Sequence, residues 1–253
     1  MHNDPKNIVI TGASSGIGEA LARAYAAPGV TLHLAGRNAD RLEAVADSVR
    51  QKNANAQIKV IDVADRDAMF AWIGAADDEA PLDLVIANAG IGLGKNDAPT
   101  LAELTERTFD TNVQGVFNTI HPALERMVPR RRGQVAIMSS VAGLLGMPGA
   151  APYAASKAAV RSYGEGLRGA YHRHGVAINV ICPGFVESGM TARNRFRMPF
   201  LMDADKAAHK IVRGLARNKA RIAFPWQTYS FIRLLQMLPV AWADRLLRRS
   251  PQK

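Results

Sequence analysis

The chain is almost without cysteine: Cys182 is the only one in 253 residues. A lone thiol makes no intramolecular disulfide, so a packed core must hold the fold. It also suits a reducing compartment. Cys182 closes the apolar run 177–182, which points to a buried, inert thiol. Aromatic residues are scarce, at 6%. No stacking platform along a groove is evident, so no nucleic-acid partner is expected. No run of about 18 apolar residues exists, and no membrane-spanning helix is expected. The first six residues are polar and show no signal-peptide pattern, which gives the expectation of a cytoplasmic protein. Internal repeats and low-complexity segments are lacking. His172 and His174 stand close together without further His, Cys or acidic ligands, so no metal site is expected. A favourable charge–dipole contact at a helix end suits them better. The three arginines at 130–132 precede Gly133 and read as a solvated turn.

What is present is enough chain for one α/β domain with a large core. The formal charge of +10 is unevenly spread. Residues 193–253 carry 14 Lys and Arg against 3 Asp and Glu, a net +11, which leaves −1 for residues 1–192. A basic C-terminal quarter on a neutral body points to an acidic surface or an anionic ligand, or else to a solvated face.

Strand-length apolar runs at 7–11, 31–35, 57–62, 82–87, 134–139 and 177–181 alternate with helical stretches at 16–27, 40–52, 66–76, 100–127 and 150–174. Such alternation implies a parallel sheet with helices on both faces. Ligands of such sheets bind at the carboxyl ends of the strands. The first strand leads into Gly12-Ala-Ser14-Ser15-Gly16-Ile17-Gly18 and then a helix. Glycines there let backbone approach a pyrophosphate, and the helix N-terminus offers N–H groups and partial positive charge. The spacing is G-x-x-x-G-x-G rather than G-x-G-x-x-G. Further along, Tyr153 and Lys157 stand four residues apart on a predicted helix, thirteen residues after Ser140. Positions i and i+4 share a helix face, so phenol and ammonium can enter one pocket. A neighbouring ammonium is expected to lower the phenol pKa and make Tyr153 a usable acid or base.

Together these motifs resemble the short-chain dehydrogenase/reductase family, in its short-form branch. The matching segments run in family order: Thr11 to Gly18, Asp62-Val63, Asn88-Ala89-Gly90, Asn112, Ser140, Tyr153 with Lys157, and Pro183-Gly184. The resemblance implies a single-domain, doubly wound parallel sheet of Rossmann type over residues 1–224. It implies hydride transfer between a nicotinamide and a carbonyl or secondary alcohol, with Tyr153 handling the proton. Ser140 would steady the substrate oxygen. Lys157 would hydrogen-bond the nicotinamide ribose, and Asn112 would hold a relay water. For the cofactor the resemblance implies Gly12, Ser14, Ser15, Gly16, Ile17 and Gly18 at the phosphates, Asp62 and Val63 at the adenine, Asn88, Ala89 and Gly90 beside the adenosine, and Pro183, Gly184, Val186 and Ser188 at the nicotinamide. Relatives that use NAD usually place an acid after the second strand. Here Gly36 and Arg37 stand there, and a guanidinium suits a 2′-phosphate, so NADP(H) is expected over NAD(H). Many NADP-using relatives carry a second basic residue where this chain has Ser15, and threonine is usual where it has Ser188. A homo-dimer or homo-tetramer is expected. The other reading is a non-catalytic NADP(H)-binding regulator that uses its basic tail; the intact Tyr153, Lys157, Ser140 and Asn112 speak against it.

Residues 203–217 read as a helix and 221–224 as a short strand. Between them and the body, residues 187–202 are expected to cover the pocket, and their Phe and Met content suggests an apolar substrate or lid. Residues 225–253 are expected to form a C-terminal extension of two short amphipathic helices broken near Pro239. Phe231, Leu234, Leu235 and Leu238 fall at i, i+3, i+4 and i+7 and predict one apolar face. Its cover is open at this point: the substrate loop, a second subunit, or peripheral contact with a membrane.

Overall fold

The computed structural model describes residues 4–93, 97–194 and 196–247. Seven parallel strands form one sheet in the order β3-β2-β1-β4-β5-β6-β7. They are β1 Asn7–Thr11, β2 Thr31–Gly36, β3 Asn55–Val60, β4 Leu84–Ala87, β5 Gly133–Met138, β6 Val176–Pro183 and β7 Arg221–Phe224. The central strands are buried on both faces, as an all-parallel sheet between helical layers requires. Successive side chains point to opposite sides. Ile8 and Ile10 therefore join an apolar cluster with Leu21, Leu42 and Ile211. Val9 joins the opposite cluster with Ile73, Ile120 and Val160. On the first face lie α1 Gly16–Tyr25, α2 Ala39–Arg50 and α8 Ala204–Ala216; on the second lie α3 Arg66–Glu79, α5 Gly115–Met127 and α6 Ala151–Tyr171. A single turn, α7 Gly189–Ala192, precedes α8.

Helix starts follow local chemistry. Asn38, Asp65, Thr100 and Asp203 each accept a backbone N–H at the start of α2, α3, α4 (Leu101–Phe109) and α8. A cap of this kind contributes about 0.5–2 kcal/mol. The strand order reverses between β1 and β4, which opens a crevice at their carboxyl ends.

Three expectations need correction. Residues 100–127 are not one helix: α4 and α5 are separated by a π-helical turn, Asp110–Gln114. Just after it, Gly115 lets Val63 pack against the start of α5, since a Cβ there would lie 2.4 Å from Val63 Cγ2. The arginines at 130–132 are not simply solvated. Arg130 pairs with the buried carboxylate of Asp77 at 2.8 Å, and Arg132 pairs with Asp83 at 2.7 Å. In the tail, α9 Trp226–Gln236 and α10 Val240–Leu247 form on either side of Pro239, but the expected apolar face is split. Ile232 and Leu235 are buried while Phe231 and Leu234 point outward. Apolar residues lie all round α9, so spacing alone did not choose the packed side. Residues 248–253 of the expected extension lie outside the described residues.

Cys182 is buried in a third, smaller cluster with Val141, Leu144 and Ile232, and burial pushes its thiol up to about 11. Among the described residues no His, Cys, Asp and Glu side chains group as metal ligands. No described helix is long and apolar enough to cross a membrane.

Candidate active site

The turn after β1 lies flat against the segment after β4. Gly12 and Gly16 adopt left-handed backbone, with φ of 65° and 60°. A Cβ on Gly12 would come within 2.8 Å of Ala89 Cα, and one on Gly18 within 2.2 Å of the Gly12 carbonyl oxygen. Thr11 fastens the two segments. Its hydroxyl accepts the Asn88 and Ala89 N–H groups at 3.1 and 3.2 Å, while the Asn88 amide donates to the Thr11 carbonyl at 2.9 Å. Ser15 stands at the N-cap of α1, yet its side chain makes no capping hydrogen bond. Ile17 packs on the first apolar cluster. Across the crevice, a Cβ on Gly16 would lie 3.0 Å from Ser188 Cβ. The space between this turn and the end of β6 is therefore one that side chains would fill. It meets the open N-terminus of α1, and these residues fit a dinucleotide.

At the far edge, Arg37 follows β2 and Asp62 follows β3. They form an ion pair at 3.7 Å, with both side chains largely exposed. Such a pair is worth little and is screened by salt, so Arg37 is not tied down. The Ser14 hydroxyl lies 3.1 Å from where a Gly36 Cβ would stand, which brings it to the same edge. Asp62 also accepts the Ala64 N–H at 3.0 Å. Val63 is buried in the second apolar cluster.

Beyond β5 the chain makes a 3-10 turn, Val141–Leu144, whose N-cap is Ser140. The Ser140 hydroxyl accepts the Ala142 N–H at 3.1 Å and donates to the Pro183 carbonyl at 3.3 Å. It also lies near enough to the Tyr153 phenol to favour its charged form. Lys157, one turn after Tyr153 on α6, is 3% exposed, and its Nζ donates to the Met138 carbonyl at 2.9 Å. Asn112 is fully buried in the π-helical turn. Its side chain accepts the Ile91 N–H at 2.7 Å and donates to the Ile91 carbonyl and the Ser156 hydroxyl, each at 3.0 Å. Gly90 closes the group: a Cβ there would lie 3.1 Å from Lys157 Nζ and 3.2 Å from Asn112 Oδ1. The structure thus brings Asn112, Ser140, Tyr153 and Lys157 together from three separate elements, against the Asn88–Gly90 stretch. Pro183 and Gly184 stand at the end of β6, where the Gly184 N–H donates to Phe224 O at 2.7 Å. Val186 forms a bridge with Met202.

The electrostatics differ from the expectation that Lys157 depresses the Tyr153 pKa. Burial pushes the phenol above its usual value, and the nearby Ser140 hydroxyl opposes this. Lys157 Nζ lies 5.9 Å from the Tyr153 ring centroid and directs a donor at Met138, so burial outweighs it. Burial also lowers the Lys157 ammonium to about 8.

Sequence reasoning passed over two serines. Ser156 bridges Asn112 to the Tyr153 carbonyl, to which its hydroxyl donates at 2.8 Å. The Ser139 hydroxyl donates to the Lys157 carbonyl at 2.7 Å. Their signal was adjacency, since each stands next to a residue already singled out.

A dinucleotide crevice joined to a Ser, Tyr, Lys and Asn group defines an oxidoreductase of the nicotinamide-dependent class. Residues 6–198 match the family described as short chain dehydrogenase. The chain belongs to that family. It is 40% identical over 246 residues to an uncharacterized oxidoreductase of Myxococcus xanthus, covering 96% of this chain and 97% of that one. A solved short chain dehydrogenase/reductase from Burkholderia phymatum, in complex with NAD, superposes with a TM-score of 0.83 at 26% identity, covering 100% of this chain and 99% of the other. A short-chain dehydrogenase from Sphingobium yanoikuyae in complex with NADPH shares the fold, with a TM-score of 0.78 at 24% identity, covering 93% and 97%.

Gly143 tests the packing of the site. A Cβ there would lie 2.6–2.8 Å from the backbone of Lys157 and Ala158. Gly143→Ala is expected to destabilise the fold by about 1–3 kcal/mol, read as a lower urea midpoint. An unchanged midpoint would show that the 3-10 turn does not press on α6 as described.

Proposed function

We propose that this chain is an NADP(H)-dependent carbonyl reductase or secondary-alcohol dehydrogenase acting on an apolar small molecule. The observation that carries the reading is the convergence of Tyr153, Ser140, Lys157 and Asn112 beside the glycine-lined crevice. Gly12 to Gly18 and Asn88 to Gly90 would hold a nicotinamide dinucleotide, with Pro183, Gly184, Val186 and Ser188 along its reactive end. When bound, that group supplies or accepts the hydride.

The protein's part is the proton and the positioning. A phenol held above its usual pKa is protonated at neutral pH. Tyr153 is therefore ready to give its proton to a carbonyl oxygen as the adjacent carbon becomes that of an alcohol. In the oxidising direction the same oxygen takes the proton back. The Ser140 hydroxyl, turned from the Pro183 carbonyl to the substrate, would donate to the same substrate oxygen and stabilise its developing charge. Lys157 carries positive charge below a pH of about 8 and favours the phenolate left once the proton has gone. Asn112 fixes the Gly90–Ile91 backbone beside that lysine and, as the resemblance implies, serves the relay that restores its proton.

Arg37 supports the 2′-phosphate, since its one weak ion pair leaves it able to make charge-assisted hydrogen bonds. The Phe and Met content of residues 187–202 supports the apolar substrate class. A separate apolar cleft of about 390 Å³, lined by Leu145, Pro148, Leu235, Leu238 and Ala243, includes none of these site residues.

Loss of NADPH absorbance across a panel of ketones and aldehydes tests the activity. Tyr153→Phe is expected to lower kcat at least roughly hundredfold, in the range for a lost general acid, while NADPH affinity stays within a few-fold. Turnover near wild type in that variant contradicts the assignment. For the cofactor, Arg37→Ala is expected to weaken NADPH about ten- to hundredfold, as loss of a charged hydrogen bond of about 1.5–3 kcal/mol would. NADH should change little. Equal weakening of both rules out the 2′-phosphate contact.

A further inference from the structure

Seven of the eleven exposed large apolar side chains among the described residues lie between Trp226 and Leu246. Val240 borders the apolar cleft. The other six, Trp226, Phe231, Leu234, Met237, Trp242 and Leu246, are 58–82% exposed. Trp226, Leu234 and Met237 share one side of α9 by helical spacing.

That side is not left over from poor packing, because α9 is already anchored through its other side. Ile232 lies in the cluster with Val141, Leu144 and Cys182, against which Tyr229 packs. The Tyr229 hydroxyl accepts from Arg221 at 3.0 Å, and the Gln236 amide donates to the Leu144 carbonyl. The helix is held in place with its outer face apolar, and apolar exposure of this extent marks a contact site.

Charge identifies the occupant. After Pro225 the sequence carries Arg233, Arg245, Arg248, Arg249 and Lys253 against one acid, Asp244. Arg233 and Arg245 are exposed within the apolar face itself. In a twofold contact between copies this patch would meet itself, setting arginines against arginines. An anionic lipid surface complements it: tryptophan and leucine enter the headgroup boundary while arginines meet lipid phosphates. We propose that the outer face of α9 and α10 docks the protein on an anionic membrane surface, lying in the interface rather than crossing it. The proposal does not depend on the reaction assigned above.

Co-sedimentation of the full chain with phosphatidylcholine vesicles, with and without phosphatidylglycerol, tests it. Salt at about 0.1 M and about 1 M shortens the screening length from about 10 Å to about 3 Å. The wild type is expected to sediment with anionic vesicles at low salt, and roughly tenfold more weakly at high salt or without phosphatidylglycerol. A triple variant, Phe231→Ser, Leu234→Ser and Trp242→Ser, should bind roughly tenfold more weakly, with native mass by light scattering unchanged. Arg233→Glu with Arg245→Glu, which alters charge alone, should show the same loss and carries the test if the triple variant melts early. Three results overturn the proposal. The wild type could stay in the supernatant with anionic vesicles. The variants could bind as the wild type does. The triple variant could lose native mass, which would assign the face to a second copy.

Discussion

A buried ammonium is costly unless its donors are met and its surroundings arranged for it. Lys157 is such a group, and much of the site's geometry answers to it. Its Nζ reaches the Met138 carbonyl at the end of β5. The Ser139 hydroxyl holds its backbone carbonyl, and the 3-10 turn approaches its backbone so closely that only glycine serves at 143. Opposite, Gly90 and Asn112 leave the room in which Nζ sits. The π-helical turn at Asp110–Gln114 belongs to the same arrangement, since it holds the Asn112 amide on the Ile91 backbone and on Ser156. A regular helix through these residues would turn the side chain elsewhere.

Burial separates the two titratable groups in an unexpected order. Tyr153 is pushed up and Lys157 down to about 8, so the lysine titrates nearest neutrality. The linkage to stability follows. An unfolded lysine, at its ordinary 10.5, binds a proton that the folded one gives up near 8. Stability therefore rises with pH across that window, and below it the full cost of the buried charge remains. In return, the protein has a neutral phenol beside a cation that can be tuned.

Much of this was legible in the sequence because it rests on short-range rules. Strand and helix alternation fixed the layers, and the glycine spacing after β1 marked the crevice. The Tyr153–Lys157 interval marked one helix face. Legibility failed where tertiary contacts decide. The break in residues 100–127 places Asn112 on Ile91 and Ser156, contacts between segments far apart in sequence. The fate of Arg130 depends on Asp77, which becomes buried only when α3 packs. The direction of the Tyr153 shift depends on burial, which local spacing does not report. In α9 the stripe Phe231, Leu234, Leu235 and Leu238 did not single out the packed side, because Ile232 completes an equally good one with Leu235. The 3-10 turn beside Ser140 chose between them.

The most direct test of this account is the titration of Lys157 itself. Carbon-13 labelling at lysine Cε, with the Lys157 resonance identified by its loss in Lys157→Met, allows its pKa to be read by NMR without substrate or cofactor. The account predicts a midpoint of about 8, well below the 10.5 of an ordinary lysine. A midpoint at the ordinary value would mean that Lys157 is solvated rather than enclosed by Met138, Gly90 and Asn112, and would contradict the arrangement on which the rest of the site depends.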